Sequence, residues 1–270
     1  MSLFINGKEK QMERYLISGG HGFIGNRLSQ YLEQDYQVQL LPRTGFVPNG
    51  DYIFDLASYG NMYDQKDYIE TYAANLMRFV HSVRSAEHYD YKAFVAVSTS
   101  SVSLFNQTFY SASKKAMEDF VQVYVKETDK PVVIVRPYSI TGVGEQENHL
   151  IPKLIDSCLN GTEMPFVDEP VHDFLDVEDF INGMLVVAKN ANEHKGEVFP
   201  IGSGIQYTNQ QVLEIVERVT GRKANIKPIE NMRKYDAKSW VANTDKMRQL
   251  GWKPKKSLEQ SIKEMINART

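Results

Sequence analysis

Cysteine is almost missing from this chain of 270 residues. The single one, Cys158, cannot close an intrachain bridge, and its neighbours Leu154, Ile155 and Leu159 make it a small core residue rather than a nucleophile or metal ligand. No run approaches the roughly 18 consecutive apolar residues of a membrane span. The polar stretch Asn6-Gly7-Lys8-Glu9-Lys10-Gln11 contains no signal-peptide core. A cytoplasmic protein with no membrane partner is therefore expected. A surplus of either charge is also lacking, since 31 Lys and Arg stand against 34 Asp and Glu for a net charge of −3. That balance argues against a nucleic-acid partner, which calls for a strongly basic face. No internal repeat or low-complexity tract is present, so solenoid and propeller architectures are excluded.

With 42% hydrophobic and 24% charged residues, the composition is that of a globular chain able to bury a core without a metal or disulfide staple. Tyr15-Leu16-Ile17-Ser18 reads as a short buried strand that runs into a glycine cluster. Ile24, Leu28, Tyr31 and Leu32 then fall at helical spacing, and Tyr36 to Leu41 reads as a second strand. Tyr52-Ile53-Phe54 makes a third strand, Ile69, Tyr72, Leu76 and Val83 one face of a helix, and Phe94 to Val97 a fourth strand. Ala116, Met117, Phe120, Val121 and Tyr124 mark the next helix, before the strand Val132 to Val135. Short apolar strands alternating with longer helices predict an α/β fold with a doubly wound parallel sheet of the Rossmann kind. Past Gly142-Val143-Gly144 the rhythm loosens, and Thr208-Asn209-Gln210-Gln211 is a capping box ahead of Val212, Leu213, Val216 and Val219. The expected organisation is a polar tail over 1–12, a dinucleotide-binding domain over 13–142, and a smaller α/β substrate lobe over 143–270 with segments returning to the sheet.

Three constellations carry chemistry. Gly19-x-x-Gly22-x-x-Gly25, enclosing Phe23 and Ile24, lies between a strand and a helix. There, unpaired backbone N–H groups, the positive end of a helix dipole and the missing side chains let a pyrophosphate approach. The second strand ends Leu40-Leu41-Pro42-Arg43, with no carboxylate for a ribose 2′-hydroxyl. Arg43 suits a 2′-phosphate, which favours NADP(H) over NAD(H), although a solvated arginine after a proline turn has the same appearance. In Tyr110-Ser111-Ala112-Ser113-Lys114 the phenol and ammonium share a helix face, and the ammonium favours the phenolate. Bringing a tyrosine from about 10 toward 7 needs roughly 4 kcal/mol, which an ammonium and an oxidised nicotinamide would supply together. A chain of this composition holds about one such pair by chance. The pair gains weight from Ser98-Thr99-Ser100-Ser101, because doubly wound sheets bind ligands at the carboxyl ends of their strands, where these hydroxyls and Tyr110 can converge on one substrate oxygen.

Together these motifs resemble the extended short-chain dehydrogenase/reductases, the NAD(P)-dependent epimerase/dehydratase family that acts mostly on nucleotide-sugars, over residues 14 to about 268. Ser18 to Gly25 resembles the family's glycine turn, and Asp55-Leu56-Ala57-Ser58 its His-Leu-Ala-Ala strand end beneath the cofactor, with Asp55 in the histidine's place. Asn75 is similar to the family's helix asparagine, Arg136-Pro137-Tyr138-Ser139 to the Arg-Pro-x-Asn segment beside the nicotinamide, and His172 to Asp179 to the Arg-Asp-Phe-x-x-Val-x-Asp segment of the substrate lobe. The resemblance implies Thr99 on the substrate's reacting oxygen, Tyr110 as acid/base, Lys114 on the nicotinamide ribose and Asn75 holding the active-site helix. It also implies cofactor contacts from Asp55, Leu56, Ala57, Pro137 and Tyr138, substrate contacts from Ser100, Ser101, Ser139 and His172, and a homodimer through helices near 66–88 and 111–127.

The chain departs from the family pattern in two places. Dehydratases carry Asp-Glu directly after the catalytic threonine, where this chain has Ser100 and Ser101, so dehydration is disfavoured. His172 replaces an arginine that bonds the nucleotide-sugar phosphates, and it is a weaker, pH-dependent anion partner. The acidic residues Asp168, Glu169, Asp173, Asp176, Glu178 and Asp179 read as capping and solvated charge rather than a metal site. The leading expectation is an NADPH-dependent 4-ketoreductase of a nucleotide-linked deoxysugar. A nucleotide-sugar 4-epimerase, a reductase of a non-sugar carbonyl and a non-catalytic NADP-binding regulator are the alternatives.

Overall fold

The computed structural model describes residues 3–5, 8–10, 12–61, 65–230 and 238–269. In chain order the elements are β1 (Leu3–Ile5), β2 (Lys8–Lys10), β3 (Arg14–Ser18), α1 (Phe23–Leu32), β4 (Gln37–Leu40), β5 (Tyr52–Asp55), α2 (Tyr68–Tyr72), a π-helical stretch (Ala73–Met77), α3 (Arg78–Ala86) and β6 (Ala93–Val97). They continue with α4 (Phe109–Thr128), β7 (Val132–Pro137), β8 (Ser139–Thr141), α5 (Leu150–Asn160), β9 (Met164–Phe166), β10 (Val171–His172), β11 (Phe174–Asp176) and α6 (Val177–Lys189). The last are β12 (Val198–Ile201), β13 (Tyr207–Thr208), α7 (Asn209–Thr220), β14 (Ile226–Pro228), α8 (Asp245–Gln249) and α9 (Leu258–Asn267). Of the stretch expected as a polar tail, residues 1, 2, 6, 7 and 11 lie outside those described, and β1 pairs antiparallel with β2.

Two compact units result: 1–102 with 107–136 and 184–199, and 103–106 with 137–183 and 200–270. The six-stranded sheet has the order β12-β7-β6-β5-β3-β4. Its β4–β3, β3–β5, β5–β6 and β6–β7 ladders are parallel, as continuous apolar strands separated by helices require. From β3 the chain moves to β4 on one side and then to β5 on the other. This reversal opens a crevice at the carboxyl ends of β3 and β5, the topological switch point at which such sheets bind ligands. One face of the sheet is covered by α3 and α4, with Leu16, Ile53, Phe79, Val83, Phe94, Met117, Val121 and Ile134 all buried in a single cluster.

The helix expected to carry Ile69, Tyr72, Leu76 and Val83 on one buried face is not continuous. The π-helical stretch inserts between α2 and α3, and its wider turn rotates the two halves against each other. Ile69 is consequently 68% exposed, while Phe79 and Val83 are buried. The second unit packs α5, α7 and α9 around Ile151, Leu154, Cys158, Val212, Val216, Ile262 and Met265. Thr208 caps α7 reciprocally with Gln211, and Cys158 lies in this core. No helix among the described residues is long and apolar enough to cross a membrane.

Candidate active site

At the end of β3 the chain turns into α1 through Gly19, which has φ +71°. A Cβ on Gly19 would stand 2.7 Å from the Ala57 nitrogen, and one on Gly25 would stand 2.3 Å from the Gly19 oxygen. Both positions therefore exclude side chains, and the turn is closed by Gly22 N–H donating to the Gly19 carbonyl at 3.0 Å. Gly22 is the N-cap of α1 and brings no side-chain acceptor, so the helix presents its first N–H groups outward beside Phe23 and Ile24. This cradle fits a dinucleotide pyrophosphate. Arg43 follows β4 and is exposed.

Beneath the turn, Asp55 ends the fully buried strand β5. Its carboxylate accepts two bonds from the Arg78 guanidinium, at 2.7 and 3.0 Å, and one from the Ser18 hydroxyl. Arg78 also donates to the Ala57 carbonyl at 3.0 Å. Burial pushes the Asp55 carboxyl up, but the Arg78 charge and the hydrogen bonds from Arg78 and Ser18 outweigh it and leave the group below its ordinary value. Asp55 is thus engaged by protein groups, and it bears on the cradle through Ser18 and the Leu56-Ala57 backbone. The sequence reasoning passed over Arg78. Its available signal was the carboxylate ending an apolar buried strand, which demands a cation nearby.

Thr99 follows β6, and Tyr110 lies in the first turn of α4, which Thr108 and Ser111 cap reciprocally. The half-buried Tyr110 phenol is pushed up to about 12 by desolvation, against hydrogen bonding from Thr99 and Ser58 that lowers it. The expected lowering by Lys114 is not what the protein supplies. The Lys114 ammonium is buried and donates to the Val97 carbonyl at 2.9 Å. Burial pushes Lys114 down to about 8, with Asp55 and Glu118 acting the other way. Glu118, one turn further along α4, is 3% exposed and accepts from Arg136 at 2.7 and 2.5 Å.

Asn75 is wholly buried within the π-helical stretch. Its amide donates to the Tyr59 carbonyl at 2.8 Å and the Ser113 hydroxyl at 2.9 Å, and its oxygen accepts from Tyr59 N–H at 2.9 Å. Ser113 in turn donates to the Tyr110 carbonyl at 2.8 Å, so Asn75 ties the loop after β5 to the first turn of α4. Ser101 shares a 3.0 Å hydroxyl contact with Thr99, while Ser100 is 5% exposed. Ser58 was quoted in the strand-end motif without a role, and only the fold sets it beside the phenol.

In the second unit, Tyr138 N–H donates to the Ile201 carbonyl at 3.2 Å, directly after Pro137 ends β7. Ser139 Oγ and His172 Nδ1 lie 3.3 Å apart, and the imidazole packs on the rings of Phe174 and Trp240. Of the six carboxylates read as capping and solvated charge, Asp168, Glu169 and Glu178 are exposed and Asp176 accepts from Glu178 N–H at the start of α6, but three are not solvated. Asp173, Asp176 and Asp179 are all buried. Asp173 accepts from Ser203 N–H and Oγ–H, Gly204 N–H and Ala242 N–H, Asp176 from Glu178 N–H and the Ser261 hydroxyl, and Asp179 from Lys255 and Lys256 N–H. Those donors replace the lost hydration. Among the described residues no three His, Cys, Asp or Glu side chains are grouped to hold a metal ion.

Comparison with known proteins fits this geometry. The low-salt glycan biosynthesis protein Agl12 of Haloferax volcanii is 30% identical over 161 residues, covering 58% of this chain and 51% of that one. The dTDP-D-glucose 4,6-dehydratase of Bos taurus is 26% identical over 170 residues, covering 58% and 46%. The chain thus spans about half the length of the curated relatives it matches. Among solved structures, the UDP-N-acetylglucosamine 4-epimerase from Methanobrevibacter ruminantium M1, in complex with UDP-N-acetylmuramic acid, superposes with a TM-score of 0.85 at 18% identity. That match covers 96% of this chain and 99% of the other, and it shows a shared fold. The model of the NAD dependent epimerase/dehydratase family matches residues 43–202. Those residues make up more than half of the chain, from the end of β4 to the end of β12, and the protein belongs to the NAD dependent epimerase/dehydratase family.

Proposed function

We propose that the chain is an NADP(H)-dependent oxidoreductase of nucleotide-linked sugars that reduces a 4-keto group, with Tyr110 as the proton donor. The observation that carries this reading is the convergence of Thr99 and Tyr110 at the carboxyl end of the sheet, on the unit that also holds the glycine cradle. Gly19 to Gly25, Leu56 and Ala57 would hold the cofactor, Lys114 its nicotinamide ribose, and Arg43 the 2′-phosphate that separates NADP from NAD. Bound there, the cofactor supplies the hydride. Thr99 orients the substrate oxygen and Tyr110 gives it a proton, while Asn75 holds the loop and helix in register through Tyr59 and Ser113. Desolvation keeps the phenol protonated until a positive charge arrives beside it, so the free protein is poised as an acid. Ser100 and Ser101 offer no carboxyl pair for eliminating water, which favours redox at the carbonyl over dehydration.

Ser139 and His172 are assigned to the substrate, and a cytoplasmic homodimer belongs to the same reading. A 4-epimerase would use the same residues but retain its cofactor. The deciding experiment follows NADPH oxidation over a panel of 4-keto UDP-, CDP-, GDP- and dTDP-sugars, beside the cofactor content of the purified protein. Oxidation with one of them, and an Arg43→Ala variant losing about tenfold in KM for NADPH but not for NADH, is the expected result. Stoichiometric bound NAD(H) with no NADPH consumption would establish the epimerase instead.

A further inference from the structure

We propose that Glu118, locked by Arg136, is a positioning residue of the reduction: the pair fixes the turns of α4 that carry Tyr110 and Lys114 against the strand end that carries Thr99. The inference rests on the ketoreductase reading and deepens it, adding a residue that acts through the helix.

Hydrogen bonds close a ring around the carboxyl ends of β6 and β7. The Lys114 ammonium donates to the carbonyl of Val97, the last residue of β6, at 2.9 Å. Glu118 stands one turn further along α4, on the same helix face. Its carboxylate accepts two bonds from Arg136 of β7, from Nε at 2.7 Å and from Nη2 at 2.5 Å. Val97 and Val135 are paired in register, and Ser98 N–H donates to the Val135 carbonyl at 2.8 Å. Thr99 directly follows Ser98, and Tyr110 lies one turn before Lys114. The hydroxyl and the phenol assigned to the substrate oxygen are therefore carried on opposite sides of one bonded ring.

The Glu118 and Arg136 side chains are only 4% and 24% exposed. A buried ion pair adds little net stability over apolar residues of the same volume. What it adds is direction. A guanidinium fork holds a carboxylate in one plane at one distance, whereas an apolar contact in its place can slide. Lys114 cannot supply this by itself, because an ammonium on a flexible stem swivels about its bond to Val97. The stakes are set by the chemistry, since misplacing a reacting group by about 1 Å costs on the order of a hundredfold in rate. Elsewhere α4 keeps its own fastenings, from Asn75 to the Ser113 hydroxyl at 2.9 Å and from Gln122 to the Gly196 carbonyl at 2.5 Å. Loss of the pair thus loosens the helix against β7 without unfolding it.

The test uses the full chain as Glu118→Gln, as Arg136→Lys, and as the double variant Glu118→Met with Arg136→Met, which leaves no member of the pair charged. With the 4-keto nucleotide-sugar that the wild type reduces, the double variant is expected to melt within a few degrees of the wild type. It should nevertheless lose about tenfold or more in kcat, with KM for NADPH kept within about threefold. Glu118→Gln should show the same split, and Arg136→Lys, which keeps one charged bond, should retain at least about a third of the wild-type kcat. A double variant that folds and turns over within about twofold of the wild type overturns the proposal, as does a kcat loss matched by an equal loss of NADPH affinity. Should the double variant not fold, the split in Glu118→Gln decides. If the wild type oxidises no NADPH with any 4-keto sugar, the ketoreductase reading fails, and the clamp is read from the Lys114 ammonium by 15Nζ NMR, with Lys114→Met for assignment. Its hydrogen exchange is expected to quicken at least about tenfold in Glu118→Gln, and unchanged exchange overturns the clamp.

Discussion

Replacing Arg78 with methionine removes one half of a buried ion pair whose side chains are only 8% and 2% exposed. The substitution keeps the apolar stem but deletes two charge-assisted bonds to Asp55 and one each to the Ala57 and Ala74 carbonyls. Breaking a buried pair from one side costs about 3–5 kcal/mol, because the surviving charge stays desolvated. At about 2–4 °C per kcal/mol for a chain of this size, the melting temperature should fall by roughly 6–20 °C. The loss should also depend on pH. In the wild type the Asp55 carboxyl is depressed below its unfolded value, so its contribution is present above that value and fades as pH falls through the folded one. In Arg78→Met the burial effect acts with little opposition, the folded carboxyl rises above the unfolded one, and the variant loses stability as pH climbs from the one to the other. Differential scanning calorimetry of both proteins from pH 4 to 8 should therefore show a gap that widens with pH. Asp55→Leu combined with Arg78→Met should recover at least half of the loss, since no charge is left buried. A gap below about 2 °C at pH 7, or one that ignores pH, would refute the account of this pair as a buried clamp.

Gly25→Ala places its Cβ 2.3 Å from the Gly19 carbonyl, so the turn must open; dinucleotide affinity measured by calorimetry should drop at least about a hundredfold while Gly22→Ala, whose closest contact is 3.3 Å, loses far less. Lys114 is held near 8 in the fold against 10.5 when free. Between those values the unfolded chain binds more protons, so wild-type stability should rise with pH relative to Lys114→Met, and parallel urea midpoints from pH 7.5 to 10.5 would contradict this. Tyr110→Phe should retain cofactor affinity within a few fold and lose about 10²–10⁴ in kcat, a split read from binding and turnover together.

The resemblance carried by scattered motifs was legible because each one is local. A strand running into Gly19-x-x-Gly22-x-x-Gly25, a run of hydroxyls after an apolar strand, and Tyr110 one turn before Lys114 are patterns of a few residues whose backbone geometry the neighbours dictate. Less legible were the features that depend on helical phase and on partners distant in sequence. Ile69 and Val83 look like one helix face until the π-helical turn rotates one against the other. Asp173, Asp176 and Asp179 look like surface charge because all of their donors but the Glu178 N–H come from residues 203–261, far along the chain.

The sequence by itself determined the parallel sheet, the glycine turn between β3 and α1 and the placement of Tyr110 and Lys114 on one helix face, since alternation, glycine positions and i, i+4 spacing are properties of consecutive residues. Only the tertiary structure decided the electrostatics. It joined Asp55 to Arg78 across 23 positions and set Ser58 against Tyr110 across more than 50. It also buried Lys114 so that its charge is opposed rather than assured. A side chain's pKa depends on which groups surround it and how much water they displace, and in this fold those groups are gathered from four separate strands and helices.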